Sequence, residues 1–192
     1  MPTSSPVAVV IRSLPRHYGP VDLPKRSLVV VRHAKSDWMV GAPDVERPLN
    51  KRGTRDASMV GQWLASLGVP FDAALVSPAR RTRETWQLLS KAAGLSITPQ
   101  YLRRIYLGEV DDLAGTVREL PSKTRGAILV GHSPGCHDFV EWATDGQGEE
   151  LALSRMREKW PTAGAAWLAV DGDYGKISAG SARLLHFEVC RG

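Results

Sequence analysis

Five residues, Val29-Val30-Val31-Arg32-His33, constrain this chain more than any other stretch. A continuous β-branched run suits a strand buried on both faces, as in the middle of a parallel sheet. Its abrupt end in an arginine and a histidine reads as the point where that strand leaves the core. In open α/β sheets, ligands bind at the carboxyl ends of the strands. Arg32 and His33 therefore stand where a site is expected, one a permanent cation and the other a titratable ring able to act as a nucleophile.

The rest of the chain repeats the alternation that such a strand needs. Leu28–Val31, Ala73–Val76, Ala127–Val130, Ala165–Val170 and Arg183–Val189 read as strands, with a weaker candidate at Ile97–Tyr101. Between them lie amphipathic helical stretches. The first starts at Asn50, a residue type that caps helices, and stops at Gly68 before Pro70. The second runs from Arg80 to Ala93 and stops at Gly94; the third spans Asp111–Leu120; the fourth follows Pro134-Gly135. Only a Gly/Asp/Ser-containing connector, 171–181, joins the last two strands, so they are expected to pair antiparallel and close one edge. The fold class predicted is α/β: a three-layer α/β/α sandwich with a mainly parallel central sheet and an antiparallel edge strand. At 192 residues the chain suits one domain, read as 27–192. Residues 1–26, rich in Pro, Ser and Arg, read as an N-terminal extension.

Composition narrows the function classes. The net charge of +5 comes from scattered basic residues without a lysine tract or basic-aromatic stripe, so a nucleic-acid partner is not expected. The two cysteines, Cys136 and Cys190, have no metal-ligand or redox spacing and fit free thiols in a reducing, cytoplasmic setting. No apolar run approaches the roughly 20 residues of a membrane span, and neither a metal nor an organic cofactor is expected.

Two more strand ends carry polar groups. Ser77-Pro78-Ala79-Arg80-Arg81-Thr82-Arg83-Glu84-Thr85 opens the second helix, and Gly131-His132-Ser133-Pro134-Gly135 opens the fourth. Helix N-termini favour anions, and arginine forks match phosphate oxygens. Two arginines, two histidines and helix N-termini around one crevice describe a phosphate site.

In this order the three motifs resemble those of the histidine phosphatase (phosphoglycerate mutase-like) superfamily. Arg32-His33-Ala34 is similar to its Arg-His-Gly signature, Ser77-x-x-x-Arg81-x-x-x-Thr85 to its second motif, and Gly131–Gly135 to its Gly-His-Asn-Pro-Gly motif, with serine in the third place. The stretch from Arg32 to Trp38, followed by Arg47-Pro48-Leu49-Asn50-Lys51-Arg52-Gly53, resembles the SixA-type phosphohistidine phosphatase branch. The resemblance spans about residues 27–190. It implies a metal-independent phosphatase in which His33 is phosphorylated and then freed by water. Arg32 and Arg81 bind the phosphoryl oxygens, and His132 is a further donor. The implied substrate is a phosphohistidine protein or a small phosphomonoester. Glu109 is the candidate general acid, with Asp37 and Asp44 as rivals; SixA-type proteins resemble one another in lacking an obvious acid at this place. Arg80, Arg83, Arg103 and Arg104 compete with Arg81 as cations, but Arg81 lies one helical turn from both Ser77 and Thr85.

Two other classes fit parts of the sequence. Gly131-x-Ser133-x-Gly135 between a strand and a helix also fits the nucleophile elbow of a serine hydrolase, with Asp171 or Asp173 and then His186 completing a triad. The same site retained as a non-catalytic phosphate-binding module is the other alternative.

Overall fold

The computed structural model describes residues 23–192. In chain order the strands are β1 (Ser27–Arg32), β2 (Ala73–Val76), β3 (Gln100–Tyr101), β4 (Gly126–Gly131), β5 (Gly164–Val170) and β6 (Ala182–Val189). The helices are α1 (Lys51–Ser66), α2 (Arg80–Ala93), α3 (Val110–Arg118), α4 (Gly135–Thr144) and α5 (Glu150–Glu158). Short 3-10 turns lie at Asp44–Glu46, Arg103–Ile105 and Tyr174–Lys176.

The sheet order is β3-β2-β4-β1-β5-β6. Pairs β3/β2, β2/β4 and β4/β1 are parallel, whereas β5 runs against both β1 and β6. The expected mainly parallel sheet is thus present, and the expected antiparallel pair closes one edge. Buried position sets the chemistry of each strand: every residue of β4 and β5 is buried, and so are the first five of β1. Alternate side chains of β1 serve opposite faces. Leu28 and Val30 pack with Leu113, Val117, Phe139 and Val140 of α3 and α4. Val29 and Val31 pack with Val60, Leu64, Trp86 and Leu89 of α1 and α2. That division produces the three layers.

Local signals account for the helix ends. The Asn50 side chain accepts from Gly53 N at 2.9 Å, and Gly94 closes α2 in the left-handed region at φ 68°. The weak strand at Ile97–Tyr101 shrinks to two exposed residues at the sheet edge. Between α4 and β5, α5 buries Ala152, Leu153 and Met156 and is a packed surface helix. Of the 1–26 extension, residues 1–22 lie outside the described residues. Leu23 packs on the α1/α2 side of the core, and Arg26 donates to the carbonyls of Gly172 (2.8 Å) and Ser122 (2.7 Å).

Strand order places the site. The chain passes from β1 to β2 without making them neighbours, and β4 later fills the gap. The register pairs Arg32 with Gly131 and Val76 with Val130. The residues that follow, His33, His132 and Ser77, must then emerge side by side at one end of the sheet.

Candidate active site

At this junction His33 N donates to the Gly131 carbonyl (3.0 Å) and Ser77 N to that of Val130 (3.0 Å), extending the ladder by one step on each side of β4. The two imidazoles lie with ring centroids 5.2 Å apart. Both are buried, His33 at 8% and His132 at 5% exposure.

Their tautomers follow from their neighbours. His33 Nδ1 lies 2.8 Å from the Ala34 carbonyl, which can only accept, so Nδ1 carries the proton and the Nε2 lone pair has no partner among the described residues. His132 Nδ1 lies 3.2 Å from Arg81 Nη2, which can only donate, so here Nδ1 accepts and Nε2–H donates to Ser77 Oγ at 2.8 Å. Burial, opposed by the Ala34 carbonyl and reinforced by the charges of Arg81, Arg32 and Arg47, pushes the His33 pKa down to about 3. Burial, His33 and Arg81 push His132 to about 3 as well. Both rings are neutral at physiological pH.

Three guanidinium groups frame the histidines. Arg81, 2% exposed, opens α2 and reaches back across the strand ends. Arg32 leaves β1 and donates from Nη1 to the Trp160 carbonyl at 2.6 Å. Arg47, 7% exposed, lies under the Trp38 indole, its guanidinium carbon 3.4 Å from the ring centroid. The Nε atoms of Arg32, Arg47 and Arg81 are buried without an acceptor among the described residues. Buried N–H groups of charged side chains are costly to leave unpaired, and a tetrahedral oxyanion supplies acceptors in that geometry. Thr85 ties α2 to the nucleophile loop, accepting from Ala34 N (3.0 Å) and donating to the Arg81 carbonyl (2.6 Å).

The three candidate acids separate. Asp37 accepts from Met39 N and orders its own loop. Asp44 contacts the cage directly: its carboxylate meets Arg81 Nη2 (2.9 Å), Arg47 Nη2 (2.8 Å) and the Tyr106 hydroxyl (2.7 Å). Burial alone raises its pKa, but the Tyr106 and Arg81 hydrogen bonds and the two arginine charges outweigh that and hold it below the usual carboxylate range. Glu109 is exposed at the N-cap of α3, its N–H bonded to Asp112 Oδ2 at 3.1 Å. It lines a cavity of about 600 Å³ shared with His132, Leu107, Asp111, Asp138 and Trp142.

The structure thus gathers Arg32, His33, Arg81 and His132 in one cage, with Glu109 on an adjoining cavity. Three of the four rival cations pair with other carboxylates: Arg80 with Glu84, Arg83 with Glu46 and Arg104 with Glu119. Sequence reasoning missed Arg47 and Tyr106 as members of the site. The only signal for Arg47 was its place in the Arg-Pro-Leu-Asn stretch. The serine-hydrolase triad is not assembled. Ser133 follows β4, whereas His186 lies on β6, three strand positions or roughly 14 Å away. There His186 contacts Glu188 (3.2 Å) and stacks on Trp63.

Comparison with known proteins agrees with this layout. The uncharacterized protein Rv1276c of Mycobacterium tuberculosis is 32% identical over 162 residues, covering 84% of this chain and all of that one. A SixA protein of Nakamurella multipartitia, assigned as a phosphohistidine phosphatase, superposes with a TM-score of 0.74 at 28% identity, covering 86% of this chain and 96% of that one. The SixA protein of Agrobacterium tumefaciens gives 0.69 at 25% identity, covering 85% and 98%. The protein histidine phosphatase SixA complexed with tungstate shares the fold, with a TM-score of 0.70 at 18% identity and coverage of 85% and 96%. The family profile matches residues 28–129, the segment that runs from β1 into β4 and contains Arg32, His33 and Arg81. By profile, sequence and fold, the chain belongs to the histidine phosphatase superfamily, branch 1.

Proposed function

We propose that this chain is a phosphatase that cleaves phosphohistidine or small phosphomonoesters through a covalent phosphohistidine on His33. The observation that carries this reading is the His33 ring itself. Its Nδ1–H is fixed on the Ala34 carbonyl, and its neutral Nε2, without a partner among the described residues, stands near Arg32, Arg47, Arg81 and His132.

In the first step Nε2 forms a bond to phosphorus while the bond to the leaving nitrogen or oxygen breaks and the leaving group takes a proton. In the second, water attacks phosphorus, the Nε2–P bond breaks, and inorganic phosphate leaves. The arginines neutralise the equatorial oxygens, the main requirement of phosphoryl transfer. Burial, with the nearby His33 and Arg81, depresses the His132 pKa; a dianionic phosphoryl group beside the ring opposes that shift, so Nδ1 can take up a proton and donate to the developing charge. Glu109 is the carboxylate suited to protonate a poor leaving group, because it faces the cavity that adjoins His132. An imidazole leaving group depends on it less. This chemistry uses no metal, and the activity is expected to persist in EDTA.

The open surroundings favour a phosphoryl group carried on a protein. Trp38, Met39, Val40 and Leu107 are all more than half or about half exposed and lie on the loops around the cage. The names of the SixA relatives point the same way. Brief acid-free quenching with radiolabelled substrate is expected to trap acid-labile phosphate on the wild type and none on His33→Ala. Full turnover by His33→Ala overturns the mechanism. Ligand binding without any turnover by the wild type leaves the non-catalytic module as the correct reading.

A further inference from the structure

The Asp44 carboxylate holds the donors that a phosphoryl group needs. Arg81 gives Nη1 to the Asp44 carbonyl (2.6 Å) and Nη2 to its Oδ2 (2.9 Å), and Arg47 gives Nη2 to its Oδ1 (2.8 Å). Of the five N–H groups on the Arg81 fork, two go to Asp44 and one to His132 Nδ1, and the one on Nε has no partner among the described residues. A second anion bound to the same fork sits within a few ångströms of the carboxylate, and like charges at that distance repel. The carboxylate is ionised at neutral pH, so it does not relieve the conflict by holding a proton.

The segment that carries Asp44 lies at the surface. The Asp44–Glu46 turn buries none of its residues, and the Asp44 side chain is 46% exposed. Gly41, just before it, adopts φ +60° with nothing within 4 Å of where a Cβ would stand. The cage arginines, by contrast, are fixed from behind: Arg32 by the Trp160 carbonyl, and Arg81 by its position on α2. When two anions compete for this fork, the exposed turn yields.

We propose that Asp44 is an internal competitor for the phosphate site. It occupies Arg81 and Arg47 between turnovers, is displaced when a phosphoryl group enters, and returns to help expel inorganic phosphate. The inference rests on the phosphatase reading and adds a residue to its cycle. Displacement lowers the affinity of every oxyanion by one common factor, the fraction of time the fork is free. Free phosphate therefore binds weakly, whereas a substrate with further contacts outside the cage overcomes the same penalty. With two half-solvated ion pairs and the Tyr106 hydrogen bond to break, the factor is on the order of 10-fold.

The test is product inhibition by inorganic phosphate in p-nitrophenyl phosphate hydrolysis, with direct calorimetric titration of phosphate, on the full chain and on Asp44→Ala and Asp44→Asn. Phosphate is expected to inhibit and bind Asp44→Ala about 10-fold more tightly, with KM falling in parallel. Asp44→Asn, which keeps the shape but not the charge, should recover part of that gain. Unchanged or weaker phosphate binding in Asp44→Ala overturns the proposal, because the carboxylate then only braces Arg81. A fall in kcat with phosphate affinity unchanged also overturns it and makes Asp44 a proton donor. A wild type that neither binds phosphate nor turns over refutes the phosphatase reading itself, whereas turnover indifferent to Asp44 refutes only the competitor.

Discussion

Lowering the pH from 7.5 to 5 should destabilise this protein by an amount that two histidines determine. His33 and His132 have pKa values of about 3 in the folded state, against about 6.5 for histidine in an unfolded chain. Between those values the unfolded state binds more protons than the folded state, so stability rises with pH and is lost as pH falls from about 6.5 towards 3. At pH 5 the unfolded imidazole lies about 1.5 units below its pKa while the folded one stays neutral. Each ring thus lowers stability by about 2 kcal/mol, and the pair by about 4 kcal/mol, relative to pH 7.5. That is a large share of the 5–15 kcal/mol typical of a domain. The assay is urea denaturation at both pH values for the wild type, His33→Asn and His33→Asn/His132→Asn. Asparagine carries no titration, so the pH-dependent loss should shrink by about 2 and then about 4 kcal/mol. Parallel losses in all three proteins would show that these histidines are not held neutral, and the argument for a free Nε2 would fall with them.

Other substitutions probe single contacts. Arg81→Ala should depress turnover by about 10²–10³-fold, the scale of removing one donor to a developing oxyanion, while Arg80→Ala, which loses only its surface pair with Glu84, should stay within a few-fold; equal effects in steady-state assays would mean that the cage is misassigned. Gly135→Ala places a Cβ 2.1 Å from the Gly108 carbonyl. It should cost about 1–3 kcal/mol in denaturant unfolding and shift the 107–111 loop, and wild-type stability would refute that close approach. Glu109→Gln should slow alkyl phosphate hydrolysis far more than p-nitrophenyl phosphate hydrolysis, and equal slowing would remove it as the acid.

The sequence made the layers legible because period and burial coincide there. Val29-Val30-Val31 has one physical solution, a strand covered on both faces, and Asn50 and Gly94 mark helix ends through local backbone chemistry. The four central site residues were legible for a related reason, since each sits at a strand end or one helical turn beyond it. Asp44 and Arg47 were harder. Neither follows a strand, and their entry into the cage depends on the path of a loop held by the Asp37 N–H to Pro48 carbonyl bond and the Asn50 N–H to Lys35 carbonyl bond. No periodicity encodes such a path. The acceptor for His33 Nδ1 was hidden for another reason: it is a backbone carbonyl, which every residue possesses.

Burial first, and then the charges that favour phosphate, keep the rings neutral. Three guanidinium groups gathered at one strand junction cost desolvation and mutual repulsion, which paired carboxylates elsewhere in the chain relieve cheaply. Here, among the described residues, only Asp44 supplies such relief, from an exposed turn that buries none of its own side chains. Replacing it with a buried carboxylate would stabilise the free protein and close the site to anions. Leaving the arginines with no carboxylate would strengthen phosphate binding and slow its release. An ionised carboxylate on a movable turn lies between those extremes. The depressed pKa values of His33 and His132 come from burying the rings beside a cationic cage, and they leave Nε2 of His33 free to attack.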